Sequence, residues 1–164
     1  MQLGEDTITM SMTLNPVNEA AFQKAVQSLE TLNRAAVFHP TGTGKSCIAW
    51  KVVEAHPQTT FFWLVAGAQR LALRQAELTR YNGGTLPGNV RFCDCEKLAA
   101  ATPEQWVRLG EQKPGCVVLD CYHELSAVCW AQSVQKLLRM CPQAKVLGLG
   151  VPNGAPVCAA AQEL

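Results

Sequence analysis

The chain is poor in charge and almost balanced in sign. Charged residues are 16% of its 164 residues and the formal net charge is +1. That excludes the broad basic footprint by which many proteins hold nucleic acid, so any such contact has to be local. Long apolar runs are also missing: none approaches the roughly 18 residues that a membrane helix needs. Residues 1–13 carry Glu5 and Asp6, with neither a basic start nor an apolar core of signal length. They predict a flexible tail and no secretory leader. Zinc-like spacing is absent too. Of the eight cysteines only Cys93 and Cys95 lie close together, without a second pair to complete a site. Scattered cysteines in a chain of this size predict reduced thiols and a cytoplasmic location, not a disulfide scaffold. A hydrophobic fraction of 48% in one domain's length is enough for a single sizeable core.

The most informative stretch is Val37-Phe38-His39-Pro40-Thr41-Gly42-Thr43-Gly44-Lys45-Ser46. A short apolar run leads into a turn with two glycines, then Lys-Ser, then the helix-compatible run from Cys47 to Glu54. Strand, glycine loop and helix in that order form a phosphate-binding loop, where backbone N–H groups and a helix N-terminus surround an anion. Glycine admits the backbone close to the anion and reaches dihedrals that other residues avoid. In such a loop Lys45 reaches the outer phosphates and the Ser46 hydroxyl sits on Mg²⁺. His39 stands where the full consensus has its first glycine.

Around this loop, helix and strand signals alternate. Phe22, Val26 and Leu29 form a stripe along a helix from about Val17 to Leu32. Thr59 to Val65 is near-continuously apolar, as a strand buried on both faces requires. Ala66-Gly67-Ala68 turns into a helix ending near Tyr81, on which Arg70 and Arg74 lie one turn apart. Asn82 to Gly88 is a loop by its turn residues, and Val90 to Cys93 a short strand. Thr102-Pro103-Glu104-Gln105 carries the signature of a capping box, with proline at the first helical position. Cys116 to Leu119 is a fourth strand that finishes on Asp120. A helix follows, from Leu125 to Met140, whose Trp130, Val134, Leu137, Leu138 and Cys141 repeat at helical spacing and predict core. Lys145 to Leu149 is the fifth strand. This alternation predicts an α/β domain with a central parallel sheet and ligands at the carboxyl ends of the strands.

Pro40-Thr41-Gly42-Thr43-Gly44-Lys45-Ser46 resembles the first motif of superfamily 2 helicases, in which the early glycine is often replaced. Asp120-Cys121-Tyr122-His123-Glu124-Leu125 looks like their Asp-Glu-x-His box, and Gly148 to Pro152 stands where they read Gly-Leu-Ser/Thr-Ala-Thr-Pro. Over residues 14–154 the motif order is similar to the first RecA-like, ATP-binding domain of a DEAD/DEAH-type helicase. The resemblance implies a three-layer P-loop NTPase fold in one domain over 14–164, without the second helicase domain.

It also implies roles. ATP and Mg²⁺ are the implied cofactors, with Lys45 and Asp120 catalytic and Ser46 and Asp120 holding the metal. Asn18 would take the place of an adenine-reading glutamine, although a helix-capping asparagine accounts for it equally well. Gly67, Arg70 and Arg74 fall in the motif that holds a DNA or RNA backbone, with solvated arginines the alternative. Asp94 falls where these helicases usually carry a hydroxyl, and there it would repel phosphate. Cys121 replaces the glutamate that polarises the attacking water, and a thiol is mostly protonated at pH 7. Loss of such a base typically costs about two to four orders of magnitude in rate. Two functions stay open: a helicase-type ATPase domain that needs a second domain or partner chain, and a nucleotide-binding or partner-binding module that does not hydrolyse.

Overall fold

The computed structural model describes residues 12–40, 43–120 and 128–151. Among them the elements run α1 (Pro16–Leu32), β1 (Arg34–Phe38), α2 (Lys45–Ala55), β2 (Phe61–Val65), α3 (Ala68–Tyr81) and β3 (Val90–Asp94). Then come α4 (Cys95–Ala99), α5 (Pro103–Glu111), β4 (Cys116–Leu119), α6 (Val128–Met140) and β5 (Lys145–Gly150). The strands form one sheet in the order β1-β5-β4-β2-β3, and every pairing is parallel. This is the expected α/β architecture with a central parallel sheet. None of the described helices is long and apolar enough to cross a membrane.

The sheet separates two cores, as the period of two along a strand demands. Phe61, Trp63 and Val65 of β2 face a cluster with Ala25 and Leu29 of α1, Ile48, Val52 and Val53 of α2, and Leu78 of α3. Phe62 and Leu64 face the other way, onto Leu98 of α4, Trp106 of α5 and Leu137 and Leu138 of α6. All five residues of β2 are therefore buried, which accounts for its continuous hydrophobicity. The chain moves from β1 across to β2 and β3, then turns back to β4 and β5. Right-handed crossovers put the helices of the outward and return journeys on opposite faces, and the two cores divide them that way.

Local signals set the helix ends. Asn15 caps α1 by accepting from the Asn18 N–H at 2.8 Å, and Pro16 follows it. The capping asparagine is therefore Asn15 and not Asn18. In α5, Gln105 N–H donates to the Thr102 hydroxyl while the Gln105 side chain accepts from Thr102 N–H, the reciprocal box expected there. Between β3 and α5 the chain makes the short helix α4, which periodicity does not reveal because five residues are too few for a stripe. In α6, Val134, Leu137 and Leu138 are buried, as is Cys141 just beyond it, and Trp130 is half-buried against the same core.

Because all strands are parallel, their carboxyl ends lie along one margin. β5 runs between β1 and β4, so the strand leading to the phosphate loop and the strand leading to Asp120 flank it. Backbone pairing continues past the strand ends: His39 N–H donates to Gly150 O at 3.2 Å and Asp120 N–H to Leu64 O at 3.0 Å. Both candidate segments are thereby anchored to the sheet.

Candidate nucleotide site

The phosphate-loop segment begins where β1 ends and closes on the first turn of α2. Thr41 and Gly42 lie outside the described residues; Pro40, Thr43, Gly44, Lys45 and Ser46 lie within them. Gly44 is the N-cap of α2 with φ +90, a dihedral at which a Cβ is strained. Among the described residues no side chain caps α2 there, so its first turn presents its backbone end to the loop. Thr43 N–H and its hydroxyl both donate to Pro40 O, at 3.3 and 2.6 Å, which folds the loop over itself. Lys45 Nζ donates to His39 O at 2.8 Å and to Pro40 O at 3.3 Å. The cation is thus held at the loop, not extended into solvent.

Asn18 is brought to this loop by α1. It is buried, with 6% relative exposure, and its Nδ2 donates to Thr43 O at 2.9 Å. A Cβ on Gly44 would come within 3.0 Å of the same Nδ2. One of the two amide N–H donors is therefore committed to the loop backbone, and Asn18 here supports the turn. Asn18 and Thr43 are 25 residues apart.

Helix α3 reaches the site at two points. Near its C-terminal end Tyr81 Oη lies 3.4 Å from Ser46 Oγ and accepts from the Cys47 thiol at 3.3 Å. Burial, with the Cys47 contact, pushes the Tyr81 phenol above its usual pKa, so it stays protonated. Two turns earlier, Arg74 meets Asp120. Its Nε donates to Asp120 Oδ2 and its Nη2 to Oδ1 at 3.1 Å. The Trp63 indole N–H also donates to Oδ2, at 2.9 Å, and Arg74 Nη1 bonds Glu77. Burial alone would lower the Arg74 pKa, but the charges and hydrogen bonds of Asp120 and Glu77 outweigh it and hold the pKa above the usual value.

This cluster corrects two expectations. Arg74 turns inward onto Asp120, so it does not stand beside Arg70 as an outward phosphate clamp; Arg70 itself is exposed. Asp120 is 2% exposed, and its carboxylate is occupied by a guanidinium and an indole. Ser46 and Asp120 are oxygen ligands of the right chemical kind for Mg²⁺, which demands octahedral geometry and usually keeps several waters. As placed, the Asp120 carboxylate leaves at most one of its roughly four acceptor positions open, beside a fixed positive charge. The arrangement does not fit the metal.

The turn into α3 is organised by Asp94. Gly67 has φ +92 and its N–H donates to Asp94 Oδ1 at 3.3 Å; the same oxygen accepts from Glu96 N–H at 2.9 Å and so caps α4. Asp94 is buried. It does not face solvent to repel a polymer, and instead ties the turn after β2 to the end of β3. An Asp followed by Glu two residues on, after a strand, is a weak capping signal that could have located α4. Cys121 and the rest of the box through Leu125, residues 126–127, and residues 152–154 lie outside the described residues.

Compared by sequence, the chain matches no family model and no curated protein. Compared by structure, it is similar to domain III of the Thermotoga maritima replication initiation protein DnaA, at 11% sequence identity and a TM-score of 0.47 over 92% of this chain. The chain spans 58% of the length of that structure. The chemistry of the site therefore rests on this chain's own residues.

Proposed function

We propose that the chain is a nucleotide-binding module that takes the phosphates of ATP at the loop formed by Pro40 to Ser46 and turns them over barely above background. One observation carries it: a parallel strand delivers Gly44, at positive φ, to the uncapped start of α2, with Lys45 Nζ folded to the loop. A helix start without a side-chain cap and with a lysine beside it favours a polyanion. Cys121 supplies no carboxylate base at the position that the helicase resemblance assigns to one. The Arg74–Asp120 pair adds to this, since it commits the carboxylate that opens the box.

Equilibrium binding of ATP to the full chain and to Lys45→Ala tests the first half. Weaker binding by the variant is expected, and equal affinities overturn the proposal. Steady-state ATPase of wild type and Cys121→Glu tests the second half: brisk turnover by wild type would show that the cysteine does not limit it. Motif order in the sequence favours a helicase ATPase domain as the source of the module. A second helicase domain or a partner chain would then complete the cleft, with DNA or RNA as the polymer. Stimulation of turnover by DNA or RNA in such a pairing would support that finer assignment.

A further inference from the structure

Helix α3 engages both oxygen groups from which a metal site would be built. Tyr81 lies against the Ser46 hydroxyl and Arg74 against the Asp120 carboxylate. The two residues are two helical turns apart, hence on one face and about 10 Å from each other along the axis. The contact at Asp120 is the more consequential. Oδ2 accepts from both Arg74 Nε and Trp63 Nε1, which fills its two lone pairs; Oδ1 accepts from Arg74 Nη2. Glu77 holds the guanidinium from the other side, and the resulting fork is the geometry in which arginine binds carboxylate most specifically. A divalent cation at this carboxylate would need room for its waters and would sit against a positive group in a buried setting, where like charges repel strongly.

We propose that Arg74 takes the place of the divalent cation at Asp120, so that the chain binds ATP without requiring Mg²⁺. The proposal rests on the nucleotide-binding function above and deepens it. A module that does not hydrolyse has no developing charge on a transferring phosphate for a metal to offset. The guanidinium is held by Asp120 and Glu77, so the Asp120 carboxylate is neutralised without a metal from solution.

Two measurements on the full chain test this. In the first, ATP affinity is measured in Mg²⁺ and in EDTA. Wild type is expected to bind equally in both, and a wild-type affinity roughly tenfold weaker in EDTA overturns the proposal. In the second, Mn²⁺ alone is titrated without nucleotide and followed by the loss of its free-ion EPR signal. Wild type should bind no Mn²⁺ at Asp120, whereas Arg74→Gln should gain a site that Asp120→Asn removes from that background. Mn²⁺ binding by wild type that Asp120→Asn abolishes overturns the proposal, as does failure of a folded Arg74→Gln to gain the site. If Arg74→Gln does not fold, the two wild-type measurements decide. If ATP binds wild type and Lys45→Ala alike, the nucleotide function falls by itself, and the Mn²⁺ measurement still decides whether Arg74 excludes metal from Asp120.

Discussion

Arg74 and Asp120, 46 residues apart in the chain, meet in a two-point contact between a guanidinium and a carboxylate that is only 2% exposed. α3 contributes the arginine and the end of β4 the aspartate, and β2 supplies a third group, the Trp63 indole. The contact joins a helix to the centre of the sheet at the margin where the carboxyl ends of the strands lie. Removing either charge alone leaves the other buried.

Arg74→Ala is accordingly expected to destabilise the fold by about 3–5 kcal/mol, the usual cost of stranding a buried charge. The double variant Arg74→Met/Asp120→Leu should lose far less than the sum of the two single variants, because it removes both charges and keeps apolar volume. Urea unfolding of wild type, Arg74→Met, Asp120→Leu and the double variant measures the coupling. Additive losses would show that the pair is not energetically linked.

Asn18→Ala should weaken ATP and GTP binding by the same factor, since Nδ2 is bonded to Thr43 O and not directed at a base. The lost hydrogen bond is worth about 1 kcal/mol. Competition binding with both nucleotides checks this. A loss confined to ATP would restore the adenine-reading role.

Gly44→Ala places a Cβ at φ +90 and within 3.0 Å of Asn18 Nδ2. The dihedral alone costs about 1–2 kcal/mol, and relieving the contact should break the Asn18–Thr43 bond as well. In an Asn18→Ala background the same substitution is expected to cost less, because that neighbour is gone. Thermal or denaturant unfolding of the single and double variants reads the difference.

Alkaline pH should weaken the fold through its thiols. Burial pushes Cys93, Cys95 and Cys116 up to about 12, whereas in the unfolded chain a thiol ionises at about 8.5. Between those values the folded chain binds more protons, so this stability is complete below about pH 8.5 and declines as pH rises toward 12. Tm measured upward from about pH 8 should fall, and Cys116→Ala should flatten the slope. A Tm independent of pH over that range would contradict it.

What the amino-acid sequence determined by itself was local. The stripe on α1, the continuous burial of β2, the capping box from Thr102 to Gln105 and the strand, loop and helix around Gly44 all depend on residues within a turn or two of each other. Their periods and hydrogen bonds can be read without knowing which strands are neighbours. The alternation of elements also implied the parallel sheet, because parallel strands need crossovers.

Tertiary structure alone decided what those elements do for one another. Asn18 supports Thr43, Asp94 ties the Gly67 turn to α4, and Arg74 engages Asp120. Each pair is distant in sequence and becomes adjacent only under the strand order β1-β5-β4-β2-β3. Sequence leaves that order open, since the same hydrophobic pattern fits many arrangements of parallel strands. The direction of a long side chain is equally open: an arginine on an exposed helix serves a phosphate or a buried carboxylate, and its choice depends on which charge the fold places within its reach.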